Sequence, residues 1–588
     1  VRLAASPQGA AFLGIERSTT GRRWRERGGD ALAGLAMAQR LSVPEVIGRI
    51  VVSRGIPLEG AERHLAPTLR DWLPDPSRLK DMDKAAARLV DAIRGRERVA
   101  IFGDYDVDGA TSAALLRRFL EDLGIAVAIH IPDRRLEGYG PNAPALLRLR
   151  DQGATLIVAV DCGTLAFEPL AVAADAGIQI IVLDHHTAEP ALPRALAIVN
   201  PNRLDDSSGQ GQLCAAGVTF LFLVAVARLL RQHGIDPPDL MQSLDLVALG
   251  TVCDVVPLTG LNRAFVAQGL KIMAQRRKPG LVALADGARI GERLDGYHLG
   301  YVLGPRVNAG GRVGKSDLGA RLLATEDAAE ARRIAAELER LNEERREIEA
   351  GVLAAALEGL DPSGPVVIAH GEAWHPGVLG IVASRLKERF NRPACVIAWE
   401  DGIGKGSGRS VAGADLGAAV IAARQAGLLL HGGGHRMAAG FTIERDQLAR
   451  FSDFLAERIG GGADTRDAVP ELGIDGALQP MACTAGLVRL LTGLGPFGAG
   501  NAEPRFVLPG VRIVKADPVG SAHVRCIVTQ PATSARLKAI AFRATETPLG
   551  AALLNAGGMA LHLAGHLRAD TWQGRDDVQF MIDDAAPA

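Results

Sequence analysis

The chain is poor in cysteine, in aromatic rings and in any excess of one charge. None of its 6 cysteines (Cys162, Cys214, Cys253, Cys395, Cys483, Cys526) pairs with another in a C-x-x-C spacing, which excludes a zinc ribbon or a redox pair. So few over 588 residues make no disulfide framework, and a reducing, cytoplasmic setting is expected. Aromatics at 4% argue against a large stacking platform. Lys+Arg 66 against Asp+Glu 67 leaves a formal charge of -1 and excludes a globally basic coat for nucleic acid. A local basic groove stays open, because the field at a site follows the distribution of charge. The start of the sequence lacks the apolar run of a secretory signal and leads into Arg22, Arg23, Arg25 and Arg27. The most apolar stretch, Cys214–Leu230, carries Arg228 and is expected to be a buried core helix, not a membrane span.

What remains is an ordinary globular composition, 48% hydrophobic and 23% charged, long enough for about four domains at roughly 150 residues each. After a lead-in over residues 1–55, short apolar runs alternate with helical patterns. Val99–Phe102, Ala126–Ile131, Leu156–Val160 and Ile178–Leu183 read as strands, and a helix opening at Gly109 carries Leu115, Leu116, Phe119 and Leu120. Strands apolar throughout signal a parallel sheet covered on both faces. Gly304–Gly314 reads as a Gly-rich loop, and Glu326–Leu357 as one long solvent-facing helix with Thr325 as a plausible N-cap. A second α/β unit starts at Pro365 and holds two Gly-rich loops, GKGSGRS at 404–410 and HGGGHRMAAG at 431–440. Beyond Gly460–Gly462 short β runs suit a small barrel.

Acidic residues gather where the strands end. GDYDVDG at 103–109 supplies Asp104, Asp106 and Asp108, which share one face if the backbone is extended. Three such carboxylates repel one another unless a cation neutralises them. VDCG at 160–163 adds Asp161, LDHH at 183–186 adds Asp184, His185 and His186, and GTVCDVVPL at 250–258 adds Asp254 in an apolar run. On an extended chain the two histidines would point apart, one to metal and one to substrate, with Asp184 orienting an imidazole. A set this rich in oxygen ligands suits two Mg²⁺ or Mn²⁺ ions better than Zn²⁺, and two such ions serve phosphoester hydrolysis. The Gly-rich loops add phosphate-binding candidates, Arg306, Asn308, Ser407, Arg409 and His435. Tyr139 in EGYGPN is a candidate for base stacking, or equally a packing residue of a turn.

The ordered motifs GDYDVDG, VDCG, LDHH and GTVCDVVPL resemble the DHH phosphoesterase superfamily. GPRVNAGGR at 304–312, GSGRS at 406–410 and GGGHRMAAG at 432–440 resemble its DHHA1 domain and the segment before it. LGPFGAGNAEPRF at 494–506 and the β region resemble the OB-like end of the superfamily's single-strand-specific bacterial exonucleases. The resemblance implies an α/β fold: a parallel-sheet DHH catalytic domain over 56–315, a connecting helix over 316–360, a DHHA1 domain over 361–460 and an OB-like barrel over 461–588. It implies a 5′→3′ exonuclease that hydrolyses single-stranded DNA to 5′-mononucleotides in repair and recombination. It makes Asp106, Asp108, Asp161, His185 and Asp254 metal ligands, with Asp161 bridging and His186 on the scissile phosphate. Phe102 stands where some superfamily members carry histidine, so Asp104 or water would complete one ion's shell. A single-strand-binding protein and a helicase are the implied partners, with no membrane. A DHH hydrolase of short oligonucleotides or cyclic dinucleotides, or an inactive DNA-binding scaffold, is the alternative. The added β domain argues against the first and the full set of motif aspartates and histidines against the second.

Overall fold

Apolar runs that stop at an acidic residue become strands whose carboxyl ends carry the chemistry. The computed structural model describes residues 10–588 apart from 134–135, 292, 461–468, 521, 531–534 and 571–576. The expected boundary between the second α/β unit and the barrel lies outside the described residues. Val99–Gly103 (β1), Val127–His130 (β2), Leu156–Val160 (β3), Gln179–Leu183 (β4) and Ala197–Val199 (β5) form one all-parallel sheet, ordered β2-β1-β3-β4-β5. The order reverses between β1 and β3, the place where parallel sheets open a crevice for ligands. Gly103 pairs with Val160, Val160 with Leu183, and Leu183 with Val199. The next residues are therefore Asp104, Asp161, Asp184 and Asn200, one polar group per strand along a single edge.

The aspartates after β1 do not lie on an extended strand. Helix Val107–Asp122 (α1) begins among them, and the carboxylate of Asp106 caps it by accepting from the N–H groups of Asp108 and Gly109. Bare helix N–H groups are strong partners for an aspartate, and here that demand outweighs alternation. α1 is buried on nearly every side, not amphipathic, because it packs on β1 and on helices Ala215–Gln232 (α2) and Leu244–Cys253 (α3). α2 is the one described helix long and apolar enough to cross a membrane, and 72% of it is buried inside the fold.

Residues 304–314 are not a loop. Gly304–Val313 is a helix (α4) that follows a π-helical turn, His298–Leu303. The long helix Ala328–Leu357 (α5) is capped by Asp327 rather than Thr325, whose hydroxyl binds Glu330 instead. Ala331, Ile334, Leu338 and Leu341 bury one face of it, so it is not simply solvent-facing. The second sheet comprises Val367–Glu372 (β6), Ala394–Glu400 (β7), Ile403–Arg409 (β8), His431–His435 (β9) and Ala438–Glu444 (β10), ordered β9-β10-β8-β7-β6. Both expected Gly-rich loops are thus strands. Their glycines make room for neighbours: a Cβ on Gly406 or Gly408 would lie 2.2 Å from Phe441 or 2.6 Å from Leu416.

The sheets and helices above belong to one compact unit, Pro74–Val256 with Gly269–Ala468. The other unit gathers Val1–Leu73, Pro257–Gln268 and Val469–Ala588. It contains a closed barrel of Phe506–Val519 (β11), His523–Thr529 (β12), Arg536–Ala541 (β13), Ala560–Asp570 (β14) and Asp577–Pro587 (β15), with β11 pairing β14 to close the ring. Strand Arg23–Glu26 pairs in parallel with Glu471–Ile474, and Ser18 and Trp24 both donate to the fully buried Asp584 carboxylate. The lead-in is therefore part of the barrel's own core.

Candidate metal centre

The strand edge and the end of α3 bring the acidic motifs together. Donor atoms of Asp104, Asp106 and Asp161 lie within 4.8 Å of one another, as do those of Asp108, His185 and Asp254, and those of Asp161, His185 and His186. His185 Nε2 lies 3.3 Å from Asp161 Oδ1, 3.7 Å from Asp254 Oδ2 and 3.8 Å from Asp108 Oδ2. Asp161 thus belongs to two of the three groups, and its contact with His185 joins it to the third. Its backbone holds φ at +60°, and Val255, just after Asp254, holds +59°. Left-handed backbone is costly for both residue types, most of all for a β-branched valine.

Asp108 is fully buried, and its two oxygens accept the N–H groups of Ala215 at 2.6 Å and Ala216 at 2.9 Å at the start of α2. Asp184 accepts the backbone N–H groups of His185, His186 and Thr164. This curls the chain, so the imidazoles do not point apart but sit 4.6 Å centroid to centroid. The support behind the two histidines extends further than sequence reasoning reached. Asn200 donates to the carbonyl of His186 and to Thr164, and Asn202 donates to the carbonyl of His185. The signal was the pair of asparagines in VNPNR after the last short apolar run.

Electrostatics marks the cluster as incomplete by itself. Burial, and then the charges of Asp106, Asp108 and Asp104, push the Asp161 carboxyl well above its ordinary range. Burial likewise raises Asp108. Burial, with Asp108 and Asp106, lifts Asp254 to about 9. Asp161 Oδ1, His185 Nε2 and Asp254 Oδ2 are buried, and no hydrogen bond satisfies them. Converging oxygen donors with one imidazole and unsatisfied buried atoms fit divalent cations. The nearby thiols do not compete, since burial raises Cys162, Cys214 and Cys253 and keeps them protonated.

His186 differs from His185. Its Nδ1 donates to Asp184 Oδ1 at 2.8 Å, and its side chain is 46% exposed. Burial opposes its charged form, yet the hydrogen bond and charge of Asp184 raise it to about 9. Tyr139, 55% exposed, brings its hydroxyl to 3.4 Å from the His186 ring and stands edge-on to Tyr105.

A continuous path leads from the acidic loop to the second sheet. The Tyr105 carbonyl is 2.8 Å from where a Cβ on Gly311 of α4 would be, and Arg312 donates to the carbonyl of Gly377. Gly377 precedes helix Leu379–Phe390 (α6), and Gly380 in its first turn abuts Arg409 and Ser407 at the end of β8. Arg306 lies elsewhere in use: its guanidinium is buried, bound to Glu339 of α5 and to the carbonyl of Val302. Asn308 is half-buried on α4, and His435 is exposed at the end of β9.

Comparison with known proteins follows this division. Residues 98–251 match the DHH family, N-terminal domain, 363–461 the DHHA1 domain and 474–584 the RecJ OB domain. The single-stranded-DNA-specific exonuclease RecJ of Escherichia coli (strain K12) is 36% identical, over 93% of this chain and 96% of its own length. The chain belongs to the RecJ family. Its Bacillus subtilis (strain 168) relative is 33% identical over 96% of this chain and 71% of that protein. The crystal structure of RecJ from Thermus thermophilus in complex with Mn²⁺ superposes with a TM-score of 0.79 at 31% identity, covering 95% of this chain and 78% of that one. A second structure of that RecJ is in complex with Mg²⁺, with a TM-score of 0.74 at 29% identity over 95% and 77% of the two chains.

Proposed function

We propose that the chain is a metal-dependent exonuclease that removes nucleotides from the 5′ end of single-stranded DNA and releases 5′-mononucleotides. The observation that carries this reading is the buried set Asp161, His185 and Asp254, whose converging donors no hydrogen bond satisfies, in a chain of the RecJ family. Asp104, Asp106, Asp108, Asp161, His185 and Asp254 would hold two Mn²⁺ or Mg²⁺ ions. Such ions, when bound, would polarise a phosphate and lower the pKa of a bound water so that hydroxide is available as the nucleophile.

The protein's own groups do the rest. Sheet register fixes the row Asp104, Asp161, Asp184, so the ligands Asp104 and Asp161 and the residue that orients His186 are pre-placed with little reorganisation. Asp184 keeps the proton of His186 on Nδ1, which leaves the Nε2–H of the cation to face a phosphate oxygen. The carbonyls of His185 and His186 are pinned by Asn202 and Asn200, which fixes both rings. Ser407 and Arg409 beside the first turn of α6 would bind the 5′-terminal phosphate, because helix N–H groups, a hydroxyl and a guanidinium all favour an anion. Asn308 on α4 and His435 at the end of β9 are assigned to the substrate's phosphates as well. Arg306 instead ties α4 to α5. Engagement of one 5′ phosphate would set the polarity. The reading places the protein in cytoplasmic DNA repair and recombination, beside a helicase and a single-strand-binding protein.

One oligonucleotide labelled separately at each end, digested across a screen of divalent metals, tests the whole. The expected result is mononucleotide release from the 5′ label first, with Mn²⁺ or Mg²⁺ and on single strands only. Inertness with every metal, or release from the 3′ label first, would overturn it. Arg409→Ala should abolish the preference for 5′-phosphorylated ends, and an unchanged preference would remove Ser407 and Arg409 from the phosphate site.

A further inference from the structure

The chain has 4 tyrosines, and all fall in the unit that holds the metal centre. Tyr105 and Tyr139 stand at the centre itself. Tyr297 and Tyr301 lie elsewhere, at the start of and within the π-helical turn, and their rings stack on each other with centroids 5.2 Å apart and planes 29° from parallel. They are 54% and 72% exposed, against a background in which most described aromatic rings are buried. A tyrosine pair held face to face in water is apolar area without a partner.

The turn that carries the pair is fastened to the metal centre. Cys253 at the end of α3 directs its thiol to the carbonyl of Leu299 at 3.4 Å, and Gly300 sits against Val252. The next residue after Cys253 is Asp254. The π-helical backbone is itself sparse in proteins and concentrates at functional sites. It is steadied here by His298, which binds Asp295 at 2.7 Å.

We infer that Tyr297 and Tyr301 form a stacking platform for unpaired bases of the substrate strand, on the 3′ side of the bond being cut. The inference rests on the exonuclease reading and extends it. Only the released 5′-terminal nucleotide lies on the 5′ side of the cut, and its phosphate is assigned to Ser407 and Arg409, so a platform built on other residues is left for bases on the 3′ side. Stacking on tyrosine faces is indifferent to sequence and demands an unpaired base. The platform therefore selects single strands without reading them. It also reconciles a low aromatic content with stacking, since two rings suffice on a turn fastened next to Asp254.

The test is steady-state digestion of single-stranded oligonucleotides in which one abasic nucleotide is walked along the strand from the second position. For the wild-type protein, KM should rise about tenfold at one or two adjacent positions. Replacing both rings (Y297A with Y301A) should raise KM on the intact strand by a similar factor while kcat stays within about twofold, and should erase the penalty at those positions. The double phenylalanine variant should restore the wild-type KM and the abasic penalty. An unchanged KM in the alanine variant, or an abasic penalty that persists in it, overturns the platform. An inert wild-type protein would instead strike at the exonuclease reading.

Discussion

Asp161 leads from the last residue of β3 into the centre of the acidic cluster, with a left-handed backbone and a carboxyl held far from its ordinary acidity. An asparagine has the same shape and tolerates the same φ, so Asp161→Asn isolates charge. Nuclease activity should fall by roughly 10³-fold or more while single-strand binding persists, because metal-held water is the loss. Parallel activity and binding assays check this. Asp184 acts one step back. Asp184→Asn leaves His186 without the charge that raises it, and kcat should fall roughly 10–100-fold with Mn²⁺ affinity nearly unchanged. A loss of bound manganese, read by electron paramagnetic resonance, would instead make Asp184 a ligand.

The same residues link stability to pH. Asp254 and Asp161 have folded-state acidities displaced upward, so above about pH 4 the folded chain binds more protons than the unfolded one. The Asp254 contribution is fully present below its unfolded value and is lost as pH rises toward about 9, and that of Asp161 is lost in the same direction. Chelated protein should therefore melt at lower temperature at pH 8.5 than at pH 6, by a few degrees at roughly 1–2 kcal/mol. Saturating Mn²⁺ should cancel that slope, since the ions stabilise the charged form that protons otherwise neutralise. Calorimetry at both pH values, with and without the ion, decides it.

At the scale of elements, α1 must start almost against the loop that carries Asp104. A Cβ on Gly109 would lie 2.5 Å from the Asp104 carbonyl and 2.7 Å from its nitrogen, both backbone. Gly109→Ala should therefore displace the loop and lower kcat by roughly 10²-fold, a loss that misplacement of reacting groups by about 1 Å accounts for. Thermal melting distinguishes local displacement from unfolding. The elements also separate what the sequence disclosed from what it hid. Apolar runs ending in aspartate disclosed β1, β3 and β4, because burial on both faces leaves a composition with no other reading. β5 was hidden, since Ala197–Val199 is three residues long and lies in a stretch rich in proline. Glycine misled three times, at 304–314, 404–410 and 431–440. In α4 and in β8 it serves close packing against Tyr105, Phe441 and Leu416, and spacing alone cannot distinguish that from a loop. The cluster was legible because several carboxylates share an edge only at strand ends. The curl at Asp184 was not, because it depends on hydrogen bonds to the backbone of the residues that follow.

For the whole molecule, the barrel unit is discontinuous along the chain. Met37, Ile47, Ile50 and Val51, all essentially inaccessible, share one core with Phe506, Leu508, Val524 and Phe580 of the barrel. Trp24 is fully buried with its indole N–H on Asp584, near the other end of the sequence. A chain cut after residue 460 would retain the first half of that core and lose the second. The exposed side chains would each forfeit roughly 1.5–3 kcal/mol of burial, and the indole and hydroxyl that now bind Asp584 would lose their acceptor. Such a truncation is expected to be aggregation-prone and to bind a hydrophobic dye strongly. A chain beginning at residue 74 and ending at 460 removes the larger orphaned segment, 10–73, keeps only Pro257–Gln268 of that unit with its buried Leu261 and Phe265, and should be more soluble. Dye binding and light scattering of the two truncations side by side provide the comparison. Equal solubility would mean that residues 10–73 hold their fold without the barrel.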